Sequence, residues 1–281
     1  MDNLSIIILN YNSYQDTLLC IERLLSFKDD FHIIVVDNHS SDQSLELIRE
    51  KYPDLDLLAL KDNLGYSYGN NAGMKYAIEK YHSKYLGIIN PDVLLDTDSI
   101  LKKGIKLLED PSIVVVGGKT LDINDIFNVR YSAWSLPGKL TIGLEHFLLY
   151  RPLHTLKLTK EVEEVDCVVG CFFLTKTSFM QSVNFLDDHV FLYNEENLLG
   201  FKVKENHLKE VIMMDESYHH NHKRSYKKLT FKEKIHSQEN SYASRKYLCK
   251  KYYPWYSLVL LWIMELLNKI YLTLCFIIKR R

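Results

Sequence analysis

Three apolar runs in the first third of the chain each stop abruptly on polar residues, and this pattern restricts the fold more than any other feature. Ser5-Ile6-Ile7-Ile8-Leu9 ends at Asn10-Tyr11-Asn12, His32-Ile33-Ile34-Val35-Val36 ends at Asp37-Asn38, and Tyr85 to Ile89 ends at Asn90-Pro91-Asp92. Short aliphatic runs without alternation read as strands buried on both faces, as in parallel sheets covered by helices. In such sheets the carboxyl ends of the strands collect on one edge, where ligands bind. Three strands are therefore expected to deliver polar groups to one place.

The intervening segments agree with that reading. Leu18, Ile21, Leu24 and Leu25 share a helical face between Tyr14 and Phe27, and Ser40-Ser41-Asp42 can cap a helix carrying Leu45, Leu47 and Ile48. Leu55 to Leu60 reads as a third strand. The Gly/Asn-rich stretch Asn63 to Gly73 reads as a loop leading into a helix with Met74, Ala77 and Ile78. Residues 97–110 and Ile113 to Val116 supply a further helix and strand, which completes an α/β alternation over 1–116. Leu121 to Lys160 is a variable, loop-rich segment; Val165 to Leu174 reads as a strand with Gly170 at its centre.

The chemistry suggested by these residues centres on a nucleotide. Asp37, followed by Asn38, can accept hydrogen bonds from a base or a ribose. The first strand lacks a G-x-G-x-x-G turn, which argues for a mononucleotide and against a dinucleotide cofactor. Asp92, at a strand end, is placed to hold Mg²⁺ or Mn²⁺ against a diphosphate leaving group. Glu195 and Glu196 follow the apolar Phe191-Leu192-Tyr193 run, where a carboxyl can be kept at a raised pKa and act as a general base. His219-His220-Asn221-His222 offers imidazoles for a metal or a phosphate.

Charge is unevenly spread. Residues 218–281 hold 14 Lys and Arg against 3 Asp and Glu, although the whole chain has a net charge of -1. Trp255 to Ile278 is mostly apolar, but Glu265, Asn268 and Lys269 interrupt it, and a charge at the bilayer centre costs about 2.5–3.5 kcal/mol on insertion scales. Amphipathic helices lying in a membrane interface are therefore expected, with a belt of Trp255, Tyr256 and Trp262 and basic flanks. Basic residues interleaved with such an apolar stretch do not read as a nucleic-acid site. The five scattered cysteines suggest neither a disulfide framework nor a zinc site. Met1-Asp2-Asn3 runs straight into a strand without a basic n-region, so a cytoplasmic protein is expected.

Taken in order, these elements resemble family 2 glycosyltransferases of the GT-A fold, in particular a bacterial rhamnosyltransferase-like branch. The resemblance rests on Ser5 to Asn12, Val36 to Asp42, Asn63 to Gly73, Ile89 to Asp92, Val165 to Gly170, Phe185 to Asp188, Tyr193 to Glu196, and His219 to Ser225. It implies a Rossmann-like mixed central sheet flanked by helices, with a nucleotide-sugar-binding half (1–116), an acceptor-binding half (117–245) and a membrane-associating helical tail (246–281). Donor-binding residues would be Asn10, Tyr11, Asn12, Asp37, Asn38, Asn63, Gly65, Asn71, Asn90 and Asp92. Asp92 would be the main metal ligand, with His219 chosen for its spacing from Ser225, and Glu196, paired with Glu195, would be the base.

The implied reaction is an inverting, metal-dependent transfer from a dTDP- or UDP-linked sugar to a lipid-linked acceptor at the inner face of the plasma membrane, in surface polysaccharide or capsule synthesis. A homodimer through the C-terminal helices is a further expectation that no feature of the sequence specifies. Two positions depart from the family: Glu196 stands where Asp is usual, and Leu198 where a further Asp is common. A catalytically inactive nucleotide-sugar-binding subunit is the alternative that these departures raise.

Overall fold

A computed structural model describes residues 3–144, 156–221 and 230–279. The elements run in the order β1 (Leu4–Asn10), α1 (Tyr14–Leu25), β2 (His32–Asp37), α2 (Ser44–Lys51), β3 (Asp56–Ala59), α3 (Tyr66–Tyr81), β4 (Tyr85–Ile89), β5 (Val93–Leu95), α4 (Ser99–Leu108) and β6 (Ile113–Leu121). They continue with β7 (Ala133–Trp134), α5 (Thr141–Leu144), β8 (Val162–Val165), β9 (Cys167–Val168), β10 (Phe172–Lys176), α6 (Thr177–Ser182), α7 (Glu195–Glu205), β11 (Lys209–His220), α8 (Phe231–Tyr252) and α9 (Trp255–Lys279).

The main sheet has the order β3-β2-β1-β4-β10-β6-β11-β5, with β8 also pairing with β11. Its first four strands are parallel; β10 then runs antiparallel to both β4 and β6. The sheet is mixed, as the family resemblance implies, whereas the buried aliphatic runs alone suggest a parallel one. From β1 the chain steps outward to β2 and β3, then crosses back to β4 on the other side of β1. This reversal opens a crevice over the carboxyl ends of β1, β2 and β4. Asn10 pairs in register with Asp37, and Ile8 with Ile89, so the three polar strand ends do share one edge.

Both faces of the sheet are covered. Leu4, Ile6 and Ile8 meet Cys20, Ile21 and Leu24 of α1, Ile48 of α2, and Ile100 and Leu101 of α4 on one side. Ile7 and Val36 meet Met74 and Ala77 of α3 on the other, with Phe179 of α6 and Leu199 of α7. A third cluster joins Ile142 of α5 and Leu198 of α7 to Tyr242, Leu248 and Cys249 of α8 and Leu261 of α9.

Several local expectations change. Most of the expected loop Asn63 to Gly73 is helix, since α3 begins at Tyr66. A Cβ on Gly73 would lie 2.5 Å from Ile7 and 2.9 Å from Val36, so the glycine lets α3 sit directly on β1 and β2, and that packing outweighs poor intrinsic propensity. The single strand expected over Val165 to Leu174 is three short ones. It breaks where the Asp166 carboxylate accepts a hydrogen bond from the Leu136 amide (2.9 Å) and again at the Gly170–Cys171 turn. Helix α2 starts at Ser44, whose amide is bonded by Asp42 Oδ1 at 3.0 Å, and Ser40 and Ser41 turn instead toward β1. The expected boundary between 245 and 246 falls inside α8, which runs unbroken through it. Cys20, Cys167, Cys171 and Cys249 are all buried.

Candidate active site

At the sheet edge the polar strand ends first bind one another. Asn10 donates through Nδ2 to Asp37 Oδ2 at 2.8 Å and accepts from Thr17 Oγ1 at 2.7 Å. Asn12, held at a left-handed φ of 51°, accepts from the amides of Ser41 and Asp42. The amides of Asn10 and Asn12 therefore shape the loop around Asp37, while Tyr11 stands exposed at its rim. Asp37 takes one further bond, from the Ser40 amide, which leaves its oxygens capacity for a ligand.

Beside it, Asn38 donates to Asn63 Oδ1 (2.9 Å) and to the Gly65 carbonyl (3.3 Å), and its own buried Oδ1 has no hydrogen-bond partner among the described residues. An unpartnered acceptor next to a carboxylate suits the donor-bearing edge of a base. Gly65 has a φ of 100°, and a Cβ there would lie 2.2 Å from the Phe191 carbonyl oxygen; only glycine fits this turn. Asn71 does not join this edge through its amide, because both ends are bonded to the Leu186 backbone at 2.9 and 3.0 Å.

The turn at Gly170–Cys171 ties this edge to α7. The Asn90 amide donates to the Cys171 carbonyl at 2.8 Å, which fixes the start of Asn90-Pro91-Asp92. One residue earlier, the Gly170 amide donates to Glu196 Oε1 at 3.1 Å, and the Tyr66 hydroxyl donates to the Gly170 carbonyl. Two adjacent residues thus hold Asp92 and Glu196 in one frame. A Cβ on Gly170 would approach Glu196 Oε1 to 2.9 Å, so the missing side chain makes room for the carboxylate.

Strand β11 brings the histidines. His220 Nε2 lies 3.3 Å from Asp92 Oδ1, and the Asn221 amide donates to the Asp92 carbonyl at 2.8 Å. His219 points the other way, its ring nitrogens 3.0 Å from Asp96 and 2.7 Å from Asp125. The expected pairing of His219 with Asp92 is therefore corrected to His220. His222 and Ser225 lie outside the described residues. Burial opposes charging of His220, but the Cys171 sulfur and the Asp92 carboxylate beside it raise its pKa to about 10.

The Asp92 carboxylate suits Mg²⁺ or Mn²⁺, and the His220 imidazole would join it as a donor, more readily to Mn²⁺, once a bound cation had displaced the ring proton; on those terms the residues present fit a divalent cation here. Asp187, Asp188 and His189 also lie close together. There, however, the Lys251 ammonium sits 2.7 Å from Asp187 Oδ2 and already supplies the positive charge.

Both acids at the head of α7 are perturbed. Burial, then the neighbouring Glu196, pushes Glu195 up to about 8, and burial raises Glu196 against the Gly170 amide that favours its charge. Glu195 is enclosed, with no hydrogen-bond partner for Oε1 among the described residues, whereas Glu196 is partly open. Leu198 is fully buried in the cluster under α8 and α9, which accounts for its departure from Asp: the position is core here. Sequence reasoning missed Tyr66 and Cys171, and named His220 only as one imidazole of the His219 to His222 cluster. No local pattern marks the first two, which act through backbone contacts and burial.

The profile of glycosyl transferase family 2 matches residues 5–183. The chain belongs to this family. It is 27% identical over 198 residues to the low-salt glycan biosynthesis hexosyltransferase Agl10 of Haloferax volcanii, covering 70% of this chain and 60% of that protein. Against the rhamnosyltransferase WbbL of Escherichia coli K12 it is 25% identical over 202 residues, covering 68% and 73%. Among solved structures, GalNAc-T7 with UDP, GalNAc and Mn²⁺ superposes with a TM-score of 0.59 at 14% identity, covering 78% of this chain and 44% of that one. The architecture is accordingly GT-A. It spans about 60% of the length of the Agl10 relative.

The buried Glu195 gives the fold a pH signature. Unfolded, it loses its proton near the ordinary value of about 4.3; folded, only near about 8. Its contribution to stability is thus fully present below the lower value and lost as pH rises through the upper one. Glu195→Gln, which cannot ionise, should gain on the wild type in urea midpoint as pH is raised from about 5 to about 9. Parallel curves for the two proteins would contradict the burial of an ionisable Glu195.

Proposed function

We propose that the protein is an inverting glycosyltransferase that moves a sugar from a nucleotide diphosphate donor to a lipid-linked glycan acceptor during surface polysaccharide synthesis. The observation that carries the reading is the Gly170–Cys171 turn, which ties Glu196 to the strand end bearing Asp92. Asp37 and Asn38 hold the nucleoside, and Asn63 and Gly65 shape the wall beside it. Asp92 and His220 would hold a Mg²⁺ or Mn²⁺ ion, which when bound supplies positive charge for the departing diphosphate. Glu196 takes the proton of an acceptor hydroxyl as that oxygen bonds to the anomeric carbon from the face opposite the diphosphate. The old carbon–oxygen bond breaks, and its electron pair leaves with the nucleoside diphosphate. UDP-hexoses and dTDP-rhamnose are the donors proposed, in keeping with the hexosyl- and rhamnosyltransferase relatives.

The C-terminal helices fit an acceptor that stays in a bilayer. Glu265 and Asn268 turn toward α8: Lys246 lies 2.5 Å from Glu265, and Asn268 donates to the Tyr242 hydroxyl at 2.8 Å, while Lys269 pairs with Glu265 along α9 at 3.0 Å. The opposite side presents Trp255, Val259, Trp262, Leu266, Ile270 and Leu274, all exposed and spaced three or four apart. Trp255–Leu274 is by length and composition able to cross a membrane, yet its polar face is engaged by protein. A helix lying in the interface, apolar face down, satisfies both sides.

Two measurements test this reading. Glu196→Gln should lower turnover by ~10²- to 10⁴-fold, the usual worth of a general base, with nucleotide affinity nearly unchanged; a variant within about tenfold of wild type would refute the base assignment. A Trp262→Glu, Leu266→Lys, Ile270→Glu protein should no longer sediment with phosphatidylglycerol vesicles. If it still pellets with them, the interfacial face is wrongly placed.

A further inference from the structure

Helix α8 makes three separate contacts with the segment that leads into Glu195 and Glu196. Near its start, the Ser237 and Tyr193 hydroxyls are 2.8 Å apart. In its middle, Ser244 Oγ accepts from Asn194 Nδ2 at 3.0 Å. Near its end, Lys251 Nζ lies 2.7 Å from Asp187 Oδ2, which the Tyr247 hydroxyl also meets at 3.0 Å. Ser237, Ser244 and Lys251 are spaced seven residues apart, so they form one stripe along the helix.

The segment under this stripe needs holding. Tyr193 and Asn194 are consecutive non-glycine residues in the left-handed region, with φ of 73° and 67°. Such a conformation persists only where the surroundings over-determine it. Asn194 is the residue before α7, and its Oδ1 accepts from Asn197 Nδ2 at 2.9 Å, so its orientation is passed straight to the first turn, where Glu196 sits. Neighbouring faces of α8 carry α9, through Tyr242 and Lys246.

We propose that α8 is a splint for the Glu196-bearing segment, with Ser237, Ser244 and Lys251 as positioning residues for glycosyl transfer. This rests on the assignment of Glu196 as the base. All of these residues lie beyond the matched family region, which ends at 183. Misplacing a base by about an ångström costs up to ~100-fold in rate, whereas the donor edge is built on β1, β2, β4 and α3. Loss of the splint should therefore fall on kcat and spare donor KM.

The test uses the full chain with Ser237→Ala and Ser244→Ala combined, against Ser237→Thr with Ser244→Thr, which keeps both hydroxyls. Amide hydrogen exchange over 187–197, thermal midpoints, and nucleotide release from UDP-hexoses or dTDP-rhamnose with a prenyl-diphosphate-linked sugar are followed. The alanine pair should exchange faster across 187–197 and lose about tenfold or more in kcat, with donor KM within about twofold and a melting point close to wild type. The threonine pair should restore kcat. Unchanged exchange in the alanine pair, or a loss shared equally by kcat, KM and melting point, overturns the splint. Glu196→Gln run alongside separates the two claims. If it is inactive while the alanine pair is fully active, the splint alone falls; if it turns over normally, the base assignment falls and the splint with it.

Discussion

The site depends on the backbone of two consecutive residues. At Gly170 and Cys171 the chain turns between β9 and β10, and its amides and carbonyls reach the Asn90-Pro91-Asp92 strand end, the Tyr66 hydroxyl at the head of α3, and the Glu196 carboxylate at the head of α7. This turn is where the polar strand-end edge and the acids at the head of α7 are tied to one another. The absence of a side chain at Gly170 is a steric condition of the arrangement, since any Cβ would displace the carboxylate that the Gly170 amide holds. Backbone dipoles suit this role because the strands on either side leave them little freedom to reorient.

Around that turn the electrostatics separate into two regions. On the strand-end side, Asp92 is matched by His220, and Asp37 by the Asn10 amide and the Ser40 backbone. On the α7 side, burial dominates, and both Glu195 and Glu196 are held above the ordinary carboxyl range. An acid of raised pKa beside a site able to take a cation is the division of labour that proton abstraction with an anionic leaving group requires. Farther out, α8 joins the acid segment to a helix whose exposed face is apolar, so the chemistry and the proposed bilayer contact are mechanically one piece.

Much of this was legible in the sequence, for identifiable reasons. Uninterrupted aliphatic runs ending on Asn10, Asp37 and Asn90 marked both the strands and their shared edge, because burial on two faces leaves no other pattern. Helix α3 was hidden: Gly69 and Gly73 argue against a helix by propensity, and their value appears only once Leu9, Ile7 and Val36 are packed against them. The choice between His219 and His220 depends on strand parity. Irregular pairing of β11 with β6 between Met213 and Ser217 shifts the register, and a shift of one residue exchanges the faces of everything beyond it. The pairs Asn194–Ser244 and Asp187–Lys251 are 50 and 64 residues apart, with nothing local to announce them.

The central claim is that the edge built by Asp37, Asn38 and Asp92 binds a nucleotide diphosphate together with a divalent cation. Calorimetric titration of UDP and of dTDP, each with and without Mn²⁺, into wild-type and Asp92→Asn protein tests it most directly. The account predicts binding of at least one nucleotide that strengthens with Mn²⁺ and loses that gain in Asp92→Asn. Failure of both nucleotides to bind, or Mn²⁺-enhanced binding that Asp92→Asn leaves intact, would contradict it.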